Sequence, residues 1–387
     1  MTGNPPDDRR HATQTDRTAQ FSEPSRTAEA ARTFEPAPTL QAAEADQAAR
    51  VTRPAQAAPG GRPGPLRRVA PALGLFLLSP LVAEYLLGNV PPSELWGLVV
   101  LAPMYGGGAI IIREVTRRAG RGWPTIILLG CAYGVLEATL IDQTLFNPAP
   151  LFEGDVSRGS TLIPALGFSA VNALGFTVGH AVWSIGVPIA VVETLVPRRA
   201  TTPWLGIPGL LFTCVVFVLG SLVLFGGIRD DSGFMASPPQ RIGAAAVVVL
   251  LAVAAFLVGW RSRPAKDGRS PKPWLVGTAG FVASAAFVAR PEDWWGTAAG
   301  IALIAVTAVV VGRWSRGDGW GARHRLALAG GALLTQAFLG FLLLFLHGTA
   351  TTANLIGQTV LVLGALALFL VAHRGAREAG EAREAGP

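Results

Sequence analysis

An all-α, polytopic transmembrane bundle of about ten spans is the fold this sequence predicts. Three observations carry the prediction. Half of the 387 residues are apolar, 15% are charged and the mean hydropathy is +0.43, whereas a soluble domain carries about a quarter charged residues. The apolar residues fall in blocks of about 20, the length that crosses a hydrocarbon core of ~30 Å. The basic residues alternate between many and few in successive loops, as the cytoplasmic preference of Lys and Arg requires.

The segments follow in order. Residues 1–66 hold no apolar run and mix acidic and basic residues with Ala, Pro, Thr and Gln. Such a stretch cannot bury enough surface to offset its ordering entropy, so a disordered cytoplasmic tail is expected. The first hydrophobic stretch begins too far from the N-terminus, and is too long, for a signal peptide. The transmembrane domain spans 67–375, with apolar blocks at 69–88, 95–113, 123–146, 168–196, 204–226, 241–260, 274–290, 295–312, 325–347 and 354–373. The seventh and eighth are separated by Pro291-Glu292-Asp293-Trp294, the makings of a tight hairpin. The fourth is long for one span, so residues 160–170 read as an interfacial or re-entrant piece. Residues 376–387 form a second disordered cytoplasmic tail.

Counted by side, the loops and ends carry 21 basic residues against 4. The alternation never breaks, which supports an even number of spans with both termini cytoplasmic. Tryptophans near block ends, including Trp96, Trp123, Trp204, Trp274 and Trp294, agree with an aromatic belt. The net charge of +7 does not point to nucleic acid, because the basic residues sit in short loops between apolar blocks. Of 32 basic residues only Lys266 and Lys272 are lysines; this Arg-, Ala- and Gly-rich usage suggests a GC-rich bacterial genome and a bacterial plasma (inner) membrane. The implied partner is the lipid bilayer, and no cofactor is indicated. Cys131 and Cys214 lie inside apolar blocks and suit neither a disulfide nor a zinc set.

Three ionisable residues stand well inside their blocks: Glu84, Glu137 and His180. An ionisable group at membrane depth faces a bundle interior or a watery cavity by default. Counted from the basic end of each block, all three sit about 24–27 Å up, at a rise of ~1.5 Å per residue. On the third helix Gly130, Tyr133, Gly134, Glu137 and Thr144 share a stripe that admits a close neighbour. Asp142 points away from that stripe, towards an outer interface with Gln143 and Asn147. Phe176, Thr177, His180, Trp183 and Ser184 share a face of the fourth helix, so a Glu137–His180 pair is geometrically allowed. It would be a structural hydrogen bond, part of a proton or polar-solute path, or part of a metal-bound hydrolytic centre; that last needs about three protein ligands. Gln336 and Gln358 would hydrogen-bond across the last two helices, and Arg113, Glu114 and Glu193 lie at cytoplasmic ends, where charge is cheap.

The spacing Glu137…Phe176-Thr177-Val178-Gly179-His180 resembles the CAAX-protease and bacteriocin-processing intramembrane proteases, whose motifs are Glu-Glu-x-x-x-Arg, Phe-x-x-x-His and a third with His and Asn. Phe176 and His180 match the second motif. Ala138 stands where the first has its second Glu, Asp142 and Gln143 stand near its Arg, and His347 is followed by Thr351 and Asn354 in place of the third. The resemblance implies a diverged intramembrane hydrolase with Glu137 and His180 as catalytic candidates. The residues themselves support a membrane protein with a polar intramembrane site at Glu84, Glu137 and His180, with a secondary transporter of a small solute as the alternative.

Overall fold

A computed structural model describes residues 65–149, 157–257 and 268–384. The expected disordered segment 1–66 lies outside these residues apart from its last two. Among the described residues are ten helices at the expected blocks: α1 (Arg67–Tyr85), α2 (Pro92–Arg118), α3 (Trp123–Ile141), α4 (Ala170–Leu195), α5 (Ile207–Ser232), α6 (Pro238–Leu257), α7 (Pro273–Val288), α8 (Trp294–Trp314), α9 (Ala322–Leu346) and α10 (Thr352–Glu384). All but the 16-residue α7 are long and apolar enough to cross a membrane. The last helix runs to Glu384, past the point where a tail was expected to begin, because Ala, Arg and Glu are strong helix formers and carry it on.

The helices divide into a core and a rim. Half or more of each apolar window in α1–α4 is buried inside the bundle, against 11% in α5, α6 and α10. Leu, Val and Phe side chains on the rim helices face outwards, as lipid-facing surface does. The fourth block does not begin as one helix. A small antiparallel hairpin, β1 (Leu162–Ile163) and β2 (Phe168–Ser169), precedes α4, pairing Leu162 with Ser169 and Ile163 with Phe168. The hairpin is held to the start of α4 by Thr161, whose Oγ1 accepts the Val171 N–H at 3.0 Å. At the seventh–eighth junction Asp293 caps α8 by accepting the Gly296 N–H at 2.7 Å.

Two close approaches set the core helices. A Cβ on Gly106 would stand 2.1 Å from the Phe76 carbonyl oxygen, so only glycine lets α2 lie against α1 there. A Cβ on Gly130 would meet Ala181, and one on Gly134 would meet Thr177 and His180, each at 3.0 Å. Advancing four residues on α3 retreats four on α4, so the pair is antiparallel along the stripe that the sequence marked.

Each core helix contains one π turn: Leu81–Tyr85 in α1, Ala102–Gly106 in α2, Glu137–Ile141 in α3 and His180–Gly186 in α4. Prolines sit beside three of them, at Pro80, Pro103 and Pro188, and a proline inside a helix deletes one i→i−4 bond. The freed carbonyls find other donors. Pro188 has no N–H for Ser184, and the Ser79 hydroxyl donates to the Ser184 carbonyl instead at 2.6 Å. In α1 the Leu86 N–H reaches back to Leu81 at 2.8 Å. That releases the Val82 carbonyl, which takes the Gln336 amide at 3.2 Å. Gln358 donates to the Leu86 carbonyl at 2.9 Å. The two glutamines therefore do not pair across α9 and α10 as expected; Gln336 supplies a hydrogen bond that the π turn in α1 leaves open, and Gln358 one that the end of α1 leaves open.

Arg113, Glu114 and Glu193 correct a second expectation. They sit at helix ends but are fully or almost fully buried. Arg117 grips Glu193 with two hydrogen bonds of 2.8 and 2.7 Å, and Arg113 reaches both Glu193 at 3.2 Å and Glu114 at 2.7 Å. Trp204 closes the cluster. Its N–H donates to Glu114 at 2.7 Å and its ring lies 3.5 Å from the Arg113 guanidinium. The end of a span is a cheap place for charge only where water reaches it, and here the segment before α5 folds over it.

Candidate functional site

The four π turns converge, and each carries one polar member of a single cluster: Glu84, Tyr105, Glu137 and His180. Glu84 is 8% exposed and Glu137 4%. The Tyr105 hydroxyl lies 2.5 Å from Glu84 Oε1 and 3.0 Å from Glu137 Oε1. Asn89, in the turn after α1, donates to Glu84 Oε2 at 2.6 Å. His180 Nε2 stands 2.9 Å from Glu137 Oε2, off the ideal N–H axis. The result is a continuous polar chain across α1, α2, α3 and α4: Asn89, Glu84, Tyr105, Glu137, His180.

A π turn widens the helix by one residue and re-aims the side chains around it. That is how four helices direct polar groups to one point while their neighbours keep packing apolar residues. The rings of Tyr105 and His180 stack at 6.0 Å with planes 12° apart, and Tyr133 packs against both at 6.1 and 5.9 Å. The Tyr133 hydroxyl is buried and has no hydrogen-bond partner among the described residues.

The bonding fixes where protons must be. His180 Nδ1 lies 2.8 Å from the Phe176 carbonyl. A carbonyl only accepts, so Nδ1 carries a hydrogen. Nε2 then faces Glu137 Oε2 either as a bare lone pair or as a second N–H. Two lone pairs at 2.9 Å repel, so this contact holds one proton, on the imidazole or on the carboxyl. The phenol of Tyr105 has one hydrogen for two carboxyl groups. Both contacts are satisfied when one carboxyl is protonated and donates to the phenol oxygen. Among the described residues no arginine or lysine forms an ion pair with Glu84 or Glu137, so a proton is the charge-balancing particle that the cluster's own groups can hold.

The three site residues marked in the sequence thus meet, Glu137 with His180 directly and Glu84 through Tyr105. Tyr105 and Asn89 were not marked. A tyrosine inside an apolar block looks like ordinary packing, and its only flag is the Gly106-Gly107-Gly108 run beside it, which signals a close helix contact. Asp142, expected to point away, follows a π turn: its N–H donates to the Glu137 carbonyl at 3.0 Å. Gln143, expected at an interface, is buried, and its side-chain oxygen accepts the Ala236 N–H at 2.6 Å. Among the described residues no group of three His, Cys, Asp or Glu side chains is placed to hold a metal ion.

Residues 73–376 match the model of an uncharacterized membrane protein family. The match covers most of the chain, and the chain belongs to that family. It is also 34% identical over 73 residues to an uncharacterized protein of Archaeoglobus fulgidus, a stretch that covers 18% of this chain and 23% of that protein. The matched stretch is thus less than a quarter of that relative's length. No solved structure matches. These findings establish a membrane protein. They lend no support to the resemblance to CAAX-type proteases, and an archaeal relative does not tie the chain to bacteria.

Proposed function

We propose that this membrane protein binds and releases a proton at the Glu84–Tyr105–Glu137–His180 cluster, the kind of intramembrane site that couples proton movement to transport of a small solute. One observation carries the reading: a polar chain, buried in the bundle, whose two carboxyls have no arginine or lysine paired with them among the described residues. Ionisable residues at membrane depth mark proton relays and polar pathways. A buried carboxylate beside a histidine holds a titrating imidazole where its proton can be handed on. The hydrolase reading has less to stand on, because Glu84 is already bonded to Tyr105 and Asn89 and only Glu137 and His180 touch. A plasma membrane remains the proposed location.

The test is infrared titration of the full-length protein in lipid nanodiscs. The wild type, recorded over about pH 5 to 8, the range in which an imidazole changes charge, is expected to show the carbonyl band of a buried protonated carboxyl. Glu137→Gln should remove or shift that band, and Glu84→Gln should perturb it through Tyr105. If the wild type shows no such band, and both variants match it throughout this range, the proton-binding reading is wrong.

A further inference from the structure

Resting on that reading, we propose that Asp142 is the residue that passes protons between the cluster and the aqueous end of α3. On a regular helix a residue five positions on is rotated by roughly 140°. The turn Glu137–Ile141 is closed instead by a hydrogen bond from the Asp142 N–H to the Glu137 carbonyl, which brings position 142 back over position 137. The third helix is therefore bent out of α geometry at the one place that puts a second carboxyl on the cluster's side.

The surroundings agree. Asp142 is half-buried, whereas Glu137 is buried. The charged groups that act on it are Glu137 on its own helix and His180 on α4. The helices α5 and α6 also pack on this turn, yet Arg229, Asp230, Asp231 and Arg241 near their ends make no ion pair with it among the described residues. Burial, reinforced by Glu137, pushes its carboxyl up to about 8, against hydrogen bonds from Thr144 that act to lower it. A carboxylic acid that keeps its proton near neutral pH is a competent donor. The buried, partnerless hydroxyl of Tyr133 is within electrostatic reach of Glu137, Glu84 and Asp142.

The fourth helix adds an approach from the same end. Because α3 and α4 are antiparallel, the end of α3 lies by the start of α4. From Asn172 to His180 every residue is half-buried, and from Trp183 to Thr194 every one is buried. The half-buried stretch at the start of α4 thus ends at His180, the member of the cluster that α4 carries. In the transfer, the O–H bond of Asp142 breaks and an O–H forms on Glu137 or an N–H on His180 Nε2. Asp142 is left as a carboxylate and takes its next proton from water. No electrons are exchanged.

The experiment measures hydrogen–deuterium exchange at His180 Nε2, by nitrogen-15 NMR of the full-length histidine-labelled protein in nanodiscs. Asp142→Asn keeps the side-chain oxygen that accepts the Thr144 N–H at 2.8 Å, so the turn is retained while the acid is lost. Exchange at His180 is expected to slow about a hundredfold, the scale of one positioned acid, and Asp142→Glu should restore most of it. In the wild type the exchange rate should fall as pH rises through about 8, a readout that needs no variant. A wild type that exchanges and titrates normally, with Asp142→Asn just as fast, overturns the role of Asp142 alone. A wild type whose Nε2 carries no exchangeable proton at any pH, and which shows no band of a protonated carboxyl either, overturns the underlying proton-binding reading with it.

Discussion

Replacing Tyr105 by phenylalanine isolates the centre of the chain. The change removes one oxygen and leaves the ring, so the stacking on His180 at 6.0 Å and the contact with Tyr133 at 6.1 Å are kept. What is lost is a hydroxyl placed 2.5 Å from Glu84 and 3.0 Å from Glu137. A hydrogen bond to a charged group contributes about 1.5–3 kcal/mol, and a buried polar group left without its partner costs about 1–3 kcal/mol. Glu84 keeps Asn89 and Glu137 keeps His180, so neither carboxyl is fully orphaned. The two losses also share one hydroxyl and do not add in full, which puts the expected destabilisation at about 2–4 kcal/mol. Unfolding of the purified protein in detergent reads the stability, and infrared spectra of the same samples read the carboxyl bands. A loss below about 0.5 kcal/mol with unchanged carboxyl bands would mean that the hydroxyl bridges nothing of consequence.

Four further outcomes follow from other contacts. Glu193→Gln leaves Arg113 and Arg117 without their shared carboxylate, and the expected loss is about 3–5 kcal/mol in the same unfolding assay; a loss under about 1 kcal/mol would show that the arginines find other acceptors. Gln336→Leu strands the Val82 carbonyl, with an expected loss of about 1–3 kcal/mol that Ser221→Ala, removing a hydroxyl that bonds nothing among the described residues, should not reproduce. Gly106→Ala forces a Cβ against the Phe76 carbonyl and should destabilise by at least about 1–3 kcal/mol, whereas Gly226→Ala, with open space around it, should be tolerated. A reporter fused within residues 228–239 is expected on the non-cytoplasmic side, and a cytoplasmic signal there would overturn the orientation derived from basic residues.

The positions of the ten helices were legible because bilayer thickness imposes a length on each apolar block, and nothing in the tertiary packing overrides it. Glu84, Glu137 and His180 were legible because an ionisable group stands out against an apolar block. Tyr105 was not, since a phenol is at home in either setting and only its neighbours reveal which end of it matters. The projection of Asp142 along a regular helix breaks down for a different reason. Projecting side chains around a helix assumes one pitch throughout, and one π turn invalidates the projection from that point on. Distance along the chain places Arg113, Glu114 and Glu193 at span ends. Their burial depends on Trp204 and the residues around it folding back over them, which no local pattern announces. The glutamines look like partners of each other because both are polar and on neighbouring spans; the acceptor of Gln336 exists only because α1 breaks register near Glu84, and that of Gln358 because α1 ends at Leu86.

That last dependence bears on why the cluster is there at all. Replacing buried charged groups with apolar ones of similar volume is often neutral or stabilising, so packing alone gives no reason to keep two glutamates, a tyrosine and a histidine at one level of the bundle. Nor does it give a reason for four π turns, which interrupt the regular hydrogen bonding of their helices. Gln336 serves a carbonyl freed by a π turn, Ser79 one freed by Pro188 and Gln358 one at the end of α1, and all three donate to the segments that carry the cluster. Irregular backbone of this kind concentrates at functional sites. The polar side chains and the backbone irregularities that aim them therefore form one device, and its function has to be sought in what those groups can exchange.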